Sequence, residues 1–137
     1  MSVEIRGLKN RDGFNVFQGS TPLIVTATAA ANAAVTGTLP AAGVGLFHHI
    51  TAIEITRAAT AALAGTAALV VTTTNLPGNP AWTVGNAMAA GGQSRDLDKT
   101  FDTPLKSSVA NTDTTIVLPV PGLAVLWRIN VYYFTGT

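Results

Sequence analysis

Residues 46–57 read LFHHITAIEITR, and the fold of the whole chain turns on how that run is read. Phe47, Ile50, Thr51, Ile53, Ile55 and Thr56 are aromatic or β-branched and fit a pleated, half-buried surface. Phe47, Ile53 and Ile55 share one parity, Leu46 and Ile50 the other, so both faces of the expected strand carry apolar weight. His48 and His49 are adjacent, and successive side chains of a strand point to opposite faces. A regular strand therefore denies them a shared metal ion. Glu54 falls on the parity of His48, but about 20 Å along the strand, too far to trade a proton. The chain has two histidines and no cysteine, so a three-histidine site and thiolate chemistry both lack their ligands. One histidine is expected to cap the sheet face or its rim, while the other meets solvent or a subunit.

The same texture extends in both directions. LIVTATA (23–29), AAVTGTL (33–39), TAALVVTTT (66–74), AWTV (81–84), PLKSSVA (104–110), TTIVLPV (114–120) and AVLWRINVYYFT (124–135) all read as strands. PAAGVG and NLPGNP are dense turn signals between them. Residues 85–103, GNAMAAGGQSRDLDKTFDT, read as a loop. Residues 58–69, AATAALAGTAAL, are the one helical competitor, because alanine is the best helix former. Gly65 and two threonines weaken that alternative. Strands without alternating helices point to an antiparallel all-β sandwich of about eight or nine strands, jelly-roll-like. Residues 1–22 differ: Arg6, Lys9 and Arg11 precede Phe14, Val16 and Phe17, as in a polar arm with a short apolar anchor or a first edge strand. The division expected is an arm or edge strand over 1–22 and a sandwich domain over 23–137.

Charge is scarce and clustered. Charged residues make up 11% of 137, against about 25% in ordinary soluble domains. None occurs from Gly13 to Ile53, nor from Ala58 to Ser94. The 22 alanines and 20 threonines must therefore form much of the surface, which suits neutral faces that approach closely and biases the chain toward oligomers. A net charge of +1 gives no field that would favour nucleic acid or acidic membranes. The most apolar later run, AATAALAGTAALVV, spans 14 residues and is too short for a bilayer helix. With no apolar leader core in MSVEIRGLKNRDG, the expectation is a soluble protein.

Candidate sites weigh little. Asp96, Asp98 and Asp102 in RDLDKTFD lack calcium-loop spacing, and Arg95 and Lys99 stand among them, so a neutralised surface loop is expected. No G-x-S-x-G elbow and no phosphate-binding glycine loop occurs. Val125, Trp127, Ile129, Val131 and Tyr133 form one parity, expected to be core. Leu126, Arg128, Asn130, Tyr132 and Phe134 form a mixed face, as expected of one partly covered by another subunit. Trp82 is expected to wedge over a sheet edge.

Four phrases carry a resemblance: VTGTLPAAGVGLFHHITAIEIT (35–56), VTTTNLPGNPAW (71–82), PLKSSVANTDTTIVLPVPG (104–122) and VLWRINVYYF (125–134). Over about residues 33–134 the chain resembles the head decoration, or cement, proteins of tailed bacteriophages. That resemblance implies a β-sandwich or jelly roll on the capsid exterior, made in the host cytoplasm and clustered as a homotrimer on the major capsid protein. It implies no enzyme activity and no cofactor; the residues themselves offer no metal ligand set. Arg6, Lys9, Arg11, Phe14, Tyr132 and Phe134 are the interface candidates, although the three basic residues match no family motif. The rival expectation is a carbohydrate-binding sandwich for host adsorption, using Trp82, Tyr132 and Tyr133. A small barrel enzyme ranks last, because its ligand set is missing.

Overall fold

The computed structural model describes residues 22–65, 68–85 and 87–137. Among these residues eight strands follow one another: β1 (Leu23–Thr28), β2 (Val35–Leu39), β3 (Phe47–Ala59), β4 (Leu69–Thr73), β5 (Trp82–Val84), β6 (Gln93–Lys106), β7 (Thr114–Leu118) and β8 (Val125–Gly136). They form two antiparallel four-stranded sheets, in the orders β1-β8-β3-β6 and β2-β7-β4-β5. The first strand thus pairs with the last, the second with the seventh, the third with the sixth and the fourth with the fifth. The chain is one long hairpin wrapped over, its nested pairs dealt alternately to the two sheets. No helix occurs among the described residues. The helical competitor resolves into the end of β3, an isolated bridge from Leu63 to Met88, and the start of β4 at Leu69.

The two inner faces meet in a single apolar core. From β8 come Trp127, Ile129, Val131 and Tyr133, as the parity predicts, while Ile116 and Leu118 of β7 and Leu39 of β2 face them. Val125 of β8 is fully buried as well. Trp127 is fully enclosed, and its indole N–H donates to the Pro119 carbonyl at 2.7 Å, so burial leaves no polar atom stranded. Gly37 points inward between Val35 and Leu39; an added Cβ would lie 3.4 Å from Ile129 Cδ1.

β3 is not a regular strand. Its pairing with β8 slips by one between Ile50 and Ala52, leaving Thr51 as the extra residue of a bulge, its hydroxyl donating to the Tyr132 carbonyl at 3.1 Å. The bulge resets the alternation. His48 and Ile50 face inward before it, and Ile53, Ile55, Arg57 and Ala59 after it. Glu54 therefore lies on the face opposite His48, not on its parity as the unbroken run implies. Phe47 is on the outer side too, partly covered by Lys106, whose Nζ sits 4.0 Å from its ring centroid.

The expected loop over 85–103 requires correction: residues 93–106 form β6, the longest strand. The expected strand 104–110 shrinks to the end of β6, with residues 107–112 turning toward β7. Leu97, Phe101 and Leu105 of β6 pack against the core, which anchors a segment whose composition looks irregular. β6 is an edge strand, and edges tolerate Arg95, Lys99, Asp102, Pro104 and Lys106 because these deter pairing with foreign strands. Trp82, on the opposite edge strand β5, is half-buried against the core, as a ring wedged over an edge would be.

Candidate functional site

The histidines separate as strand geometry requires. His48 is buried, with Nε2 2.8 Å from the Pro40 carbonyl and Nδ1 2.8 Å from Thr114 Oγ1. A carbonyl only accepts, so Nε2 carries the hydrogen; in the neutral ring Nδ1 then accepts from the Thr114 hydroxyl. That hydroxyl in turn accepts from Asn75 Nδ2 at 3.1 Å. Both ring nitrogens of His48 are spent on tying β3 to β7 and to the residue that follows β2. His49 faces outward, stacked on Phe134 with centroids 4.7 Å apart and planes 1° from parallel. Its Nε2 is enclosed and without a hydrogen-bond partner. Burial, then the Lys106 charge, pull its pKa below the ordinary imidazole value.

The aspartates do not gather. Asp96 reaches Arg57, whose Nε is 2.6 Å from Oδ2 and whose Nη2 is 2.8 Å from Oδ1. Both side chains are more than nine-tenths buried, and the guanidinium lies over the Trp127 ring, 5.0 Å from its centroid. Asp98 pairs with Arg95 at 2.9 Å, and Asp102 is exposed. Among the described residues no three histidine, cysteine or carboxylate groups come together where a metal could be held. Arg57 is the partner that sequence reasoning missed. A lone arginine at an inward position of a core strand was the available signal, since a buried charge needs a counter-ion.

What remains are two broad sheet faces. The outer face of the β2-β7-β4-β5 sheet is paved with Thr36 and Thr38, Thr115 and Val117, Val70 and Thr72, and Thr83, continued by Thr74 just beyond β4. Registration aligns Thr36, Val117 and Thr72 in one cross-strand row. Thr38 and Thr115 start the next, and the hydroxyls of Thr115 and Thr74 extend it at 2.7 Å. None of these residues is charged. Two of the expected strands, AAVTGTL and TAALVVTTT, supply four of these threonines, Thr36, Thr38, Thr72 and Thr74.

The outer face of the β1-β8-β3-β6 sheet is ordered differently. Read across the strands, its rows are Leu126, Ala58, Gln93; then Thr28, Arg128, Thr56, Arg95; then Thr26, Asn130, Glu54, Asp98; then Ile24, Tyr132, Ala52, Thr100. Phe134, His49 and Lys106 close the series. Thr26 donates to Asn130 Oδ1 at 2.8 Å, and Glu54 Oε2 accepts from Tyr132 Oη at 3.1 Å and from Asn130 Nδ2 at 3.4 Å. The bond to Glu54 is the main reason the Tyr132 phenol titrates above its usual range. An open cleft of about 410 Å³ lies over the first two rows, lined by Leu126, Ala58, Gln93, Arg128, Thr56 and Arg95 among others.

Of the interface candidates, Tyr132 and Phe134 lie on this outer face, while Arg6, Lys9, Arg11 and Phe14 fall outside the described residues, as does nearly all of the expected arm. The three rings of the carbohydrate alternative are not brought together: Tyr133 is buried in the core, Tyr132 is on the outer face of the same sheet, and Trp82 is on the other sheet. No protein-family model, no curated protein and no solved structure matches the chain.

Proposed function

We propose that this chain is a structural virion component, a decoration or cement protein that binds the outside of a tailed-phage head and reinforces it. The observation that carries the reading is the neutral threonine-paved face of the β2-β7-β4-β5 sheet, in a molecule whose described acidic and histidine side chains are spread out rather than gathered into a reactive cluster. Such a face meets another protein without desolvating a charge, the step that makes charged contacts expensive. The wrapped strand order is read as a jelly roll, the expected architecture for this role. Copies cluster as homotrimers on the major capsid protein. Binding the assembled shell in preference to a ruptured one stabilises it by mass action, and many modest contacts suffice.

Cosedimentation with heads that lack the protein tests this. The full chain is expected to pellet with the heads, and a Thr72→Glu/Thr115→Glu variant, charged on the threonine face, to remain in the supernatant with its melting temperature little changed. Wild-type protein that stays in solution, or a variant that pellets as well as wild type, contradicts it.

A further inference from the structure

The outer face of the β1-β8-β3-β6 sheet leaves two opposite charges without a counter-ion. Glu54 accepts only from Tyr132 and Asn130, and Arg128 has neither ion pair nor hydrogen bond among the described residues. They stand in neighbouring rows on neighbouring strands. Successive rows are separated by about 7 Å along a strand. A small anion over Arg128 and Arg95 would sit that far from Glu54 and Asp98 and be repelled by them. A small cation over the carboxylates meets the guanidinium groups in the same way. The pattern suits a partner whose own charges run in two opposed rows.

We propose that this partner is a second copy of the chain, docked face to face about a twofold axis that lies in the interface. The axis runs along the rows, midway between the Arg128–Arg95 row and the Glu54–Asp98 row. That rotation keeps each strand over its counterpart and reverses the order of the rows, the isologous arrangement of a symmetric dimer. Arg95 then meets the partner's Asp98, and the internal Arg95–Asp98 pairs of the two copies join into one alternating network. Arg128 lies over the partner's Asn130, one strand spacing from the partner's Glu54, within reach of an arginine side chain across sheets stacked about 10 Å apart. The same operation sets Leu126 and Ala58 against the partner's Tyr132 and Ala52, apolar on apolar, and places the tyrosine over the cleft. It also covers the flank of Ile24, which is 60% exposed in the single chain. A twofold axis along the strands instead lays the arginine row over the partner's arginine row and the carboxylate row over its carboxylate row, with no opposite charges facing each other, so the charges favour the first axis.

This pairing stands apart from the trimer and the head binding proposed above. Its test uses no heads, so each can fail alone. Sedimentation of the full chain is expected to give a dimer, or a hexamer where trimers join in pairs. Arg95→Glu and Asp98→Arg, each taken singly, place like charges across the axis and are expected to weaken pairing about tenfold or more. An equimolar mixture of the two variants should recover the association, because every contact across the axis is again opposite in sign. Neither chain of that mixture regains its own Arg95–Asp98 bridge, so recovery reports the contact between copies and not a repaired fold. Arg128→Glu, at an exposed position without an ion pair among the described residues, should weaken pairing to a similar extent while leaving unchanged the melting temperature measured at dilutions where the chain does not pair. A wild-type chain that sediments as a monomer or a trimer overturns the proposal. So do single variants that pair as tightly as wild type, or a mixture that stays apart.

Discussion

Trp127 holds the centre of the molecule by three means at once: full burial, an indole hydrogen bond to Pro119 and the guanidinium of Arg57 above its ring. Trp127→Ala should cost about 3–5 kcal/mol, read as a fall of roughly 10–15 °C in the melting temperature for a domain of this size; unchanged melting would place the ring outside the core. The neighbouring Arg57–Asp96 pair makes the complementary case. Asp96→Asn leaves an enclosed guanidinium without its counter-charge and is expected to cost about 3–5 kcal/mol, whereas Arg57→Met/Asp96→Leu should cost clearly less. A double variant as unstable as the single one would show that the charges themselves are required. His49 adds a pH dependence. Its folded pKa is depressed, so the unfolded chain binds more protons as the pH falls, and stability that is complete above the ordinary imidazole range is lost on acidification below it. His49→Phe, which keeps the stacking on Phe134, should flatten that part of a stability-against-pH curve measured by denaturant titration. A slope that survives the change would assign it to other groups.

The elements show which features the sequence carries openly. Core parity in β8 was legible residue by residue, because a central strand packed on one side alternates without interruption from Val125 to Tyr133. The sandwich class and most strand positions followed from the same alternation and from turn signals. β6 was hidden, since an edge strand with charges on its open side and three well-spaced anchors, Leu97, Phe101 and Leu105, lacks clear alternation and carries no valine or isoleucine. The bulge at Thr51 was hidden as well: nothing in FHHITAIEIT marks which residue goes unpaired, and only the packing of Ile50 and Ile53 on the same side requires one. The outer-face rows were out of reach for a related reason, since they depend on the register between strands far apart in the chain. The bulge makes a sharp prediction. Deleting Thr51 leaves His48, Ile50, Ile53 and Ile55 still alternating inward, so the variant should fold with a loss of about 1–2 kcal/mol, mainly the hydroxyl bond to Tyr132. Deleting Thr56 instead inverts every residue on one side of the cut and should abolish cooperative unfolding. Equal damage from the two deletions would remove the bulge from the account.

At the scale of the molecule, two faces of opposite character cover one core. One is neutral and hydroxyl-rich, the other carries its charges in matched rows. In a chain with so few charges, that segregation suits the two docking tasks proposed above, one against a shell and one against a copy of the chain. Neither asks for a reactive group, and His48, the most deeply buried ionisable ring, is wholly occupied in joining strands. The account stands or falls on where the protein sits, and electron cryomicroscopy of the native particle measures that directly. It predicts density for this sandwich on the outer surface of the head, in threes about the lattice axes, with Thr36, Thr72 and Thr115 turned toward the shell. Heads with no such density, or whose shell-contacting copies turn the threonine face away from the shell, would contradict it.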